Sequence, residues 1–373
     1  MNIPKWPVAT DREIELLKEV VNSPYWGGFH EMITRFEKDF ASYQQCRHAV
    51  SCVNGTVAIE MILEAAGIGR GDEVIVPAIS FISTATAVSR VGGTPVFVDI
   101  EPYSFNMDPE RAAAAITPRT KAILVVHFGG PLANMDRLTK LAAEHGLMLF
   151  EDSAHAHGSE WNGKRAGSIG SAGSFSFQNS KVMTCGEGGI VTSNDDRIAT
   201  GVRAITNQGR REGEGWFFHY TLGTNYRITA LQAAVLIAQL ERLPEQIRLR
   251  TRNAEILRAA TAGVPGLTWQ EVPQQASVHS YYLMLGRIDA AKFGITRDEF
   301  HAALTAQGIP CTPFYPHTLY ENPLYRQGGC KVEPCPVSEA CIHDAFWFPH
   351  RVLMGSEELT QEIASVICKL HRG

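Results

Sequence analysis

Short apolar runs alternate with amphipathic segments through the first half of the chain. The apolar runs predict buried strands at residues 48–53, 72–77, 94–99, 121–126 and 147–150. Amphipathic or well-capped segments that predict helices lie between them, at residues 57–66, from residue 108 onward and at 135–145. Near-continuous apolar strands that alternate with helices are typical of a parallel sheet covered on both faces. We therefore predict an α/β fold with a mostly parallel sheet.

The second half of the chain predicts longer helices and fewer strands. Residues 230–258 form a long helical pattern, which we expect to be interrupted near Pro244 and to link two domains. The elements predicted after it are a strand at 280–285 and helices at 297–307 and 356–370. We predict a large domain of residues 1–245, with an N-terminal helical segment, and a small C-terminal α+β domain of residues 246–373. The loop predicted at 310–349 is long enough to be functional or locally structured.

Composition narrows the classes of partner. The chain has 373 residues, 45% of them hydrophobic, and a formal net charge of −5. This charge, without any block of Lys or Arg, predicts no nucleic-acid partner. No run of 18 apolar residues occurs, and the N-terminal sequence lacks an apolar segment of signal-peptide length. We therefore expect no membrane partner and a cytoplasmic location.

The cysteines predict neither a disulfide scaffold nor a metal site. Eight cysteines are scattered through the chain, as in reduced cytosolic enzymes. The one cluster consists of Cys330, Cys335, Cys341, His343 and His350. Its spacings of five and six residues lack the close Cys-x₂-Cys pair of a structural zinc site, so we expect no metal.

One lysine stands out in residues 173–193, where small and aromatic residues alternate before a glycine-rich turn. Lys181 is the single charged residue of this stretch before Glu187. In a site screened from water an ammonium is destabilised, and the neutral amine is a nucleophile able to form a Schiff base with a carbonyl. The alternative is an ordinary surface lysine in a loop between two strands.

Further candidate residues follow the predicted strands. The turn Asn54-Gly55-Thr56 precedes a helix, whose first N–H groups could stabilise a phosphate, although Asn-Gly is also a common turn. Ligands of parallel sheets bind beyond the carboxyl ends of the strands. The side chains at or just after those ends, which one pocket could collect, are Phe81, His127, Asp152 and His155. The glycines of residues 167–173 lack the spacing of a dinucleotide site.

Four motifs in this order resemble those of the DegT/StrS-type sugar and aminocyclitol aminotransferases. The motifs are Asn54-Gly55-Thr56, Glu151-Asp-Ser-Ala-His-Ala-His-Gly158, Ser174-Phe-Ser-Phe-x-x-x-Lys181 with Gly186-Glu-Gly-Gly189, and Gly223-Thr-Asn-Tyr-Arg227. The resemblance spans most of the chain. It implies a pyridoxal 5′-phosphate (PLP) enzyme of fold type I, with a large PLP-binding domain and a smaller C-terminal one.

The resemblance also implies a role for each candidate. Lys181 would hold the cofactor aldehyde and, once released, shuttle a proton. Asp152 would keep the pyridine nitrogen protonated, since a neutral pyridine is a poorer electron sink. His155 would contact the ring oxygen and Phe81 would stack on the ring, while His157 is expected to be structural. The residues expected at the phosphate are Gly55, Thr56, Ser176 and, from the neighbouring subunit of a homodimer, Asn225.

The expected reaction moves an amino group from glutamate or glutamine to the ketone of a cyclic polyol. The ketone would be a nucleotide-linked keto-sugar or a keto-cyclitol, in amino-sugar or aminocyclitol biosynthesis. Gln178, Cys185 and the segment 346–355 resemble the branch acting on ketocyclitols and amino-hydroxybenzoate precursors. The family also includes dehydratases, in which histidine takes the lysine position. Two more classes of protein would fit the sequence, namely a PLP-binding regulatory protein without turnover and an α/β binding protein without PLP.

Overall fold

Three β-sheets, of eight, four and two strands, and a set of flanking helices make up the computed structural model, which describes residues 1–372. Within this range the strands are β1 (His48–Cys52), β2 (Glu73–Pro77), β3 (Thr94–Val98), β4 (Thr120–Val126), β5 (Met148–Asp152), β6 (Glu160–Trp161), β7 (Lys164–Arg165), β8 (Ala172–Ser176), β9 (Gly189–Ser193), β10 (Leu267–Trp269), β11 (Leu283–Ile288), β12 (Thr312–Pro313), β13 (Lys331–Val332) and β14 (Ala345–Pro349). The predicted strands of the first half are all present.

The helices of the same range alternate with the first strands and dominate the second half. They are α1 (Asp11–Asn22), α2 (Glu31–Tyr43), α3 (Gly55–Ala65), α4 (Ser83–Arg90), α5 (Pro109–Ala114), α6 (Met135–His145), α7 (Asp196–Thr206), α8 (Ala230–Ala260), α9 (Ala290–Phe293), α10 (Arg297–Ala306), α11 (Pro323–Arg326), α12 (Pro336–Asp344) and α13 (Glu357–Arg372). Two short 3₁₀ helices lie at Leu319–Glu321 and His350–Met354.

The large sheet has eight strands in the order β1-β9-β8-β5-β4-β2-β3-β13. Pairing is parallel from β8 to β13 and antiparallel only where β9 lies between β8 and β1. The prediction of a mostly parallel sheet is confirmed. Because both faces are buried, β2 sends Ile75 into one apolar core and its neighbours Val74 and Val76 into the other. The first core includes α2, α6 and α8, and the second includes α3, α4 and α7.

Helix α8 is continuous, so the expected interruption near Pro244 is wrong. Pro244 lies inside the helix, where it removes one backbone donor and normally kinks or ends it. The helix begins with a capping box of Thr229 and Gln232, and it packs against α1, α2 and α13. Tertiary packing of this kind outweighs local propensity.

The predicted loop at 310–349 is mostly regular structure. It contains β12, α11, β13, α12 and β14. The second sheet has the order β10-β11-β14-β12, whereas β13 leaves it and pairs with β3 at the edge of the large sheet. Its strand β11 begins at Leu283, three residues later than predicted. The reason is Tyr281, whose φ of 50° is outside the extended region. Among the described residues, no helix is long and apolar enough to cross a membrane.

Candidate active site

Lys181 lies in the loop that joins β8 to β9, at the carboxyl end of β8. Local hydrogen bonds shape this loop: the Gln178 Oε1 atom accepts from the backbone N–H of Ser180 at 2.8 Å, and the Thr184 hydroxyl donates to the Phe177 carbonyl at 2.9 Å. Phe177 also donates its N–H to the Gly188 carbonyl at 2.8 Å, which closes the base of the loop. The loop therefore has a defined shape, and it presents Lys181 to a cavity.

The cavity has a volume of about 890 Å³ and lies beyond the carboxyl ends of the parallel strands. It brings together seven of the eight predicted site residues, namely Gly55, Thr56, Phe81, Asp152, His155, Ser176 and Lys181. Asn225 lies outside it, in an exposed segment that forms an isolated bridge with Asn207. Phe81 lies at the cavity with 60% of its surface exposed. The site predicted from scattered motifs is thus one pocket, apart from Asn225.

Asp152 is a buried carboxylate held by two donors. The Thr84 hydroxyl donates to Oδ2 at 2.7 Å and the Ala154 N–H donates to Oδ1 at 3.2 Å. Because Thr84 uses its proton on Asp152, the Ser80 hydroxyl, 2.7 Å from Thr84 Oγ1, must donate to it. Burial raises the pKa of Asp152, and these hydrogen bonds oppose that shift. A cation beside the carboxylate would offset the cost of burying it.

His155 is neutral and presents one donor. Its Nδ1 atom accepts from the Gly129 N–H at 3.3 Å, which assigns the ring proton to Nε2. Burial, and then the nearby Lys181, hold the pKa of His155 well below its usual value. A neutral ring with a free Nε2–H can donate to an anionic oxygen in the cavity.

Small polar side chains form a cup at the start of α3. The Asn54 side chain accepts from the Val57 N–H at 2.9 Å, so the helix begins with Gly55 and Thr56 at the cavity. The hydroxyls of Thr56 and Ser83 lie 2.7 Å apart, and Ser176 faces them from the end of β8. A Cβ at Gly55 would lie 2.8 Å from the Ser176 Cβ, so only glycine leaves this approach open. The cup suits a phosphate at a helix N-terminus.

A sequence comparison assigns the chain to a family. The profile of the DegT/DnrJ/EryC1/StrS aminotransferase family matches residues 7–367. The chain belongs to this family. It is therefore a PLP-dependent aminotransferase, and the predictions of family, fold type I, enzyme class and cofactor are confirmed.

Individual relatives cover almost the whole chain. The sequence is 36% identical to the 3-amino-5-hydroxybenzoate synthase of Amycolatopsis mediterranei, over 98% of this chain and 96% of that protein. It is 34% identical to the L-glutamine:2-deoxy-scyllo-inosose aminotransferase of Streptoalloteichus tenebrarius, over 99% of this chain and 94% of that protein. A crystal structure of a 3-amino-5-hydroxybenzoic acid synthase superposes with a TM-score of 0.93 at 35% identity, covering 99% of this chain and 98% of the other.

The cavity of this DegT/StrS aminotransferase fits PLP. The cup at α3 suits the phosphate, the buried carboxylate of Asp152 suits a protonated pyridine nitrogen, and the Nε2–H of His155 suits the ring oxygen. Lys181 supplies the amine that an aldehyde requires. The side chains that line the cavity therefore fit the chemical groups of PLP.

One residue predicted to lie in the pocket is found elsewhere. His127 was expected in the pocket, and this is wrong: it is fully buried and donates from Nε2 to Glu151 at 2.9 Å. Glu151 also accepts hydrogen bonds from the N–H groups of Gly167, Ile169 and Gly170. This carboxylate therefore fixes the turn that precedes β8. The strand-end rule places a residue near the pocket but does not give the direction of its side chain.

The remaining motif residues have local roles. His157 is buried against Phe175 and Phe177, as expected for a structural residue. Arg227 donates to the Asn207 side chain at 2.8 Å and stacks over Phe29. In the cluster of Cys330, Cys335, Cys341, His343 and His350, burial raises the pKa of Cys341 to about 12, so this thiol stays protonated.

The second half of the chain contributes a wall that sequence reasoning missed. Tyr282, just before β11, and Tyr315, just after β12, line the cavity. The Lys181 Nζ atom lies 4.3 Å from the centroid of the Tyr282 ring, and Tyr315 packs against Phe128 and Trp347. Thr84 was missed as well. Its only signal was its position in the Ser-rich run after β2, at the end of a predicted strand.

Proposed function

We propose that this aminotransferase moves an amino group from glutamate or glutamine to the ketone of a cyclic polyol, either a nucleotide-linked keto-sugar or a keto-cyclitol. The observation that carries the proposal is the convergence of Lys181, Asp152 and the polar cup on one cavity of about 890 Å³. The named activities of the two relatives, one on an inosose with L-glutamine and one yielding an aminohydroxybenzoate, support this substrate class.

Each side chain has a proposed task at the cofactor. Gly55, Thr56 and Ser176 bind the phosphate, and Phe81 stacks on the ring. Asp152 pairs with the pyridine nitrogen and His155 donates to the ring oxygen. When bound, PLP supplies an electron sink that stabilises negative charge on the substrate carbon.

Lys181 has two proposed tasks, which are to hold the cofactor and to move a proton. When the cofactor is bound, the Lys181 amine would hold it by its aldehyde. Once free, the same amine would accept the proton of the substrate carbon and return it, as a general base and acid. The position of Nζ at the wall of the cavity supports this assignment, because a free amine needs a place close to the reacting atoms.

Replacement of the lysine tests the proposal. We expect Lys181→Ala to abolish transamination with an unchanged fold, because the substitution removes a nucleophile and little packing. The matched control is Lys140→Ala, an exposed lysine on α6. The measurement is the absorbance of the PLP-loaded protein before and after glutamate or glutamine is added.

The outcomes distinguish the candidate functions. A change of the cofactor band with one donor in the wild type and the Lys140→Ala variant, and none in Lys181→Ala, supports the assignment and identifies the donor. Turnover by Lys181→Ala would refute the assigned role of Lys181. A wild-type band that neither donor changes would favour a regulatory protein or a different PLP reaction such as dehydration.

We also propose that the enzyme is a homodimer with shared active sites. Large apolar side chains are exposed on one surface, including Phe217 at 85% and Leu222 at 86%. Phe29 and Trp216, whose rings lie 5.7 Å apart, join this surface to the N-terminal segment. An apolar area of this kind supports burial by a second copy. Asn225 follows the exposed loop directly, which supports a role at the partner's phosphate cup.

Mixed dimers test the shared site. Neither Lys181→Ala nor Asn225→Ala is expected to be fully active alone, since one lacks the amine and the other a phosphate contact. In a heterodimer, one of the two sites has both native residues. Random exchange of subunits in an equal mixture makes half of the dimers heterodimers. About a quarter of all sites should then be native, and the mixture should show about a quarter of the wild-type activity. Failure of subunit mixing to restore activity, with heterodimers shown by mass, would place Asn225 outside the partner's site.

Two broader proposals follow from the sequence. We propose a domain boundary near residue 245, within α8, because the strands of the second sheet all come from residues 267–349. Limited proteolysis followed by mass measurement would locate it. We propose a cytoplasmic location, which the free thiols of all eight cysteines support.

A further inference from the structure

Tyr282 makes direct contact with both Lys181 and the residue before it. The Lys181 Nζ atom lies 4.3 Å from the ring centroid, within the range of a cation–π contact. The Tyr282 hydroxyl lies 3.0 Å from the Ser180 hydroxyl, which in turn donates to Gln178 Oε1 at 2.8 Å. Tyr282 belongs to the segment that leads into β11. A residue next to the second sheet therefore contacts Lys181, which follows β8 of the large sheet.

The Tyr282 ring is fixed by its neighbours. The ring of His155 packs against it with centroids 4.3 Å apart, and His350 stacks on it at 6.2 Å. Tyr281, the preceding residue, has the left-handed φ of 50°, and its ring stacks on His279 at 3.6 Å. A bulky residue adopts this conformation only where its surroundings enforce it, and such residues cluster at functional sites.

The backbone of the lysine loop is held from the same side. The His350 Nε2–H donates to the Ser180 carbonyl at 3.1 Å, and the Trp6 indole donates to the Asn179 carbonyl at 3.0 Å. Trp6 also packs edge-on against His350, with centroids 4.5 Å apart. The two carbonyls before Lys181 therefore have fixed partners, and the freedom that remains belongs to the Lys181 side chain.

We propose that Tyr282 is a positioning residue for Lys181. Its ring face holds the amine at the cavity wall whenever the amine is not bound to the cofactor, and so keeps it ready for proton transfer. The negative face of an aromatic ring attracts a positive amine without forming a bond that must later break. The inference rests on the proposed role of Lys181, and it assigns to Tyr282 a function that the hydroxyl alone would not provide.

A pair of substitutions separates the ring from the hydroxyl. Tyr282→Leu removes the ring face, and the rate constant of the half-reaction with the amino donor should fall about 2- to 30-fold, the range of a cation–π contact. The KM for the donor should change little, because the amine acts after the donor has bound. Tyr282→Phe keeps the ring and should stay within about twofold of the wild type. An equal loss in Tyr282→Phe, or no loss in Tyr282→Leu, would overturn the inference.

A spectroscopic measurement on the cofactor-free protein is independent of turnover. Lysines carrying ¹³C-methyl groups, introduced by reductive methylation, give one NMR signal each, and Lys181→Arg identifies the signal of residue 181. The ring current of Tyr282 should shift this signal upfield in the wild type and in Tyr282→Phe. The shift should disappear in Tyr282→Leu. A signal at the position of exposed lysines in the wild type would refute the contact.

The two proposals fail in different ways. If Lys181→Ala retains turnover, the role of the lysine is wrong, whatever the NMR signal shows. If Lys181→Ala is inactive while Tyr282→Leu matches the wild type in rate, only the positioning role of Tyr282 is wrong. Thermal unfolding of both Tyr282 variants, expected to be similar to each other, separates a positioning effect from a loss of fold.

Discussion

The hydrogen bond from Thr84 to Asp152 offers a sharp test of the cofactor site. Thr84→Val keeps the shape of the side chain and removes the donor that lies 2.7 Å from Asp152 Oδ2. The bond is buried, and a hydrogen bond of this kind to an ionised carboxylate contributes about 1.5–3 kcal/mol. If PLP requires the carboxylate of Asp152, its dissociation constant should rise about tenfold to a hundredfold.

The pH dependence of PLP affinity shows in which direction the loss of the Thr84 hydroxyl shifts the pKa of Asp152. Burial already raises the pKa of Asp152, and removing a donor that opposes this shift raises it further. The protonated acid cannot keep the pyridine nitrogen charged, so PLP affinity should fall as the pH is lowered. In Thr84→Val this fall should occur at a higher pH than in the wild type.

Titration of the cofactor-free protein with PLP, followed by absorbance between pH 5 and 9, measures both effects. Thr84→Ser keeps the hydroxyl and serves as the control, with affinity close to the wild type. Ser80→Ala removes the donor that orients Thr84, and its effect should be intermediate. The reasoning is refuted if Thr84→Val binds PLP as tightly as Thr84→Ser throughout this range.

Two further predictions concern stability. In Glu151→Gln the amide group must face the donors that the carboxylate accepts from, namely those of His127, Gly167, Ile169 and Gly170. The free energy of unfolding, measured by denaturant titration, should therefore fall by about 2–5 kcal/mol. A loss below about 1 kcal/mol would contradict the strength assigned to these bonds. Burial disfavours the Glu13 carboxylate, but hydrogen bonds from Arg242 and Thr10 outweigh burial and lower its pKa to about 2. Its stabilisation, up to about 3 kcal/mol, should be complete above pH 4.5 and disappear as the pH falls toward 2, so wild type and Glu13→Gln should converge in acid. A constant difference between the two proteins across this range would argue against the ion pair as its source.

The sequence was sufficient to predict five strands of the large sheet, β1 to β5, because these strands are buried on both faces. Ile75 and its neighbours read as a continuous apolar run, and the helices between the runs are amphipathic. Residues that follow such strands, including Asp152 and His155, could therefore be placed near one pocket. The direction of each side chain could not, and His127, which faces Glu151 inside the protein, shows why. Whether such a side chain points into the pocket depends on its neighbours across the sheet.

The second half of the chain was harder to predict because its structure depends on long-range contacts. The strand β13 is two residues long and has no signal of its own, since its partner β3 lies more than two hundred positions away in the sequence. The same holds for Tyr282, which contacts Lys181 although the two residues are far apart in the sequence and belong to segments of different sheets. Pro244 is a strong local signal for a helix break, but no break occurs, because the packing of α8 outweighs this signal.

The path of the chain through β13 constrains the engineering of this protein. The chain leaves the second sheet after β12, pairs with the large sheet at β13, and returns to the second sheet at β14. The Lys331 ammonium also lies 2.6 Å from Glu73, which fastens the strand to the edge of the large sheet. A chimera cut once in α8 would therefore pair one parent's β3 with the other parent's edge strand. Exchanges intended to alter substrate choice should transfer residues 310–349 together with the large sheet, whose edge strand β13 they supply.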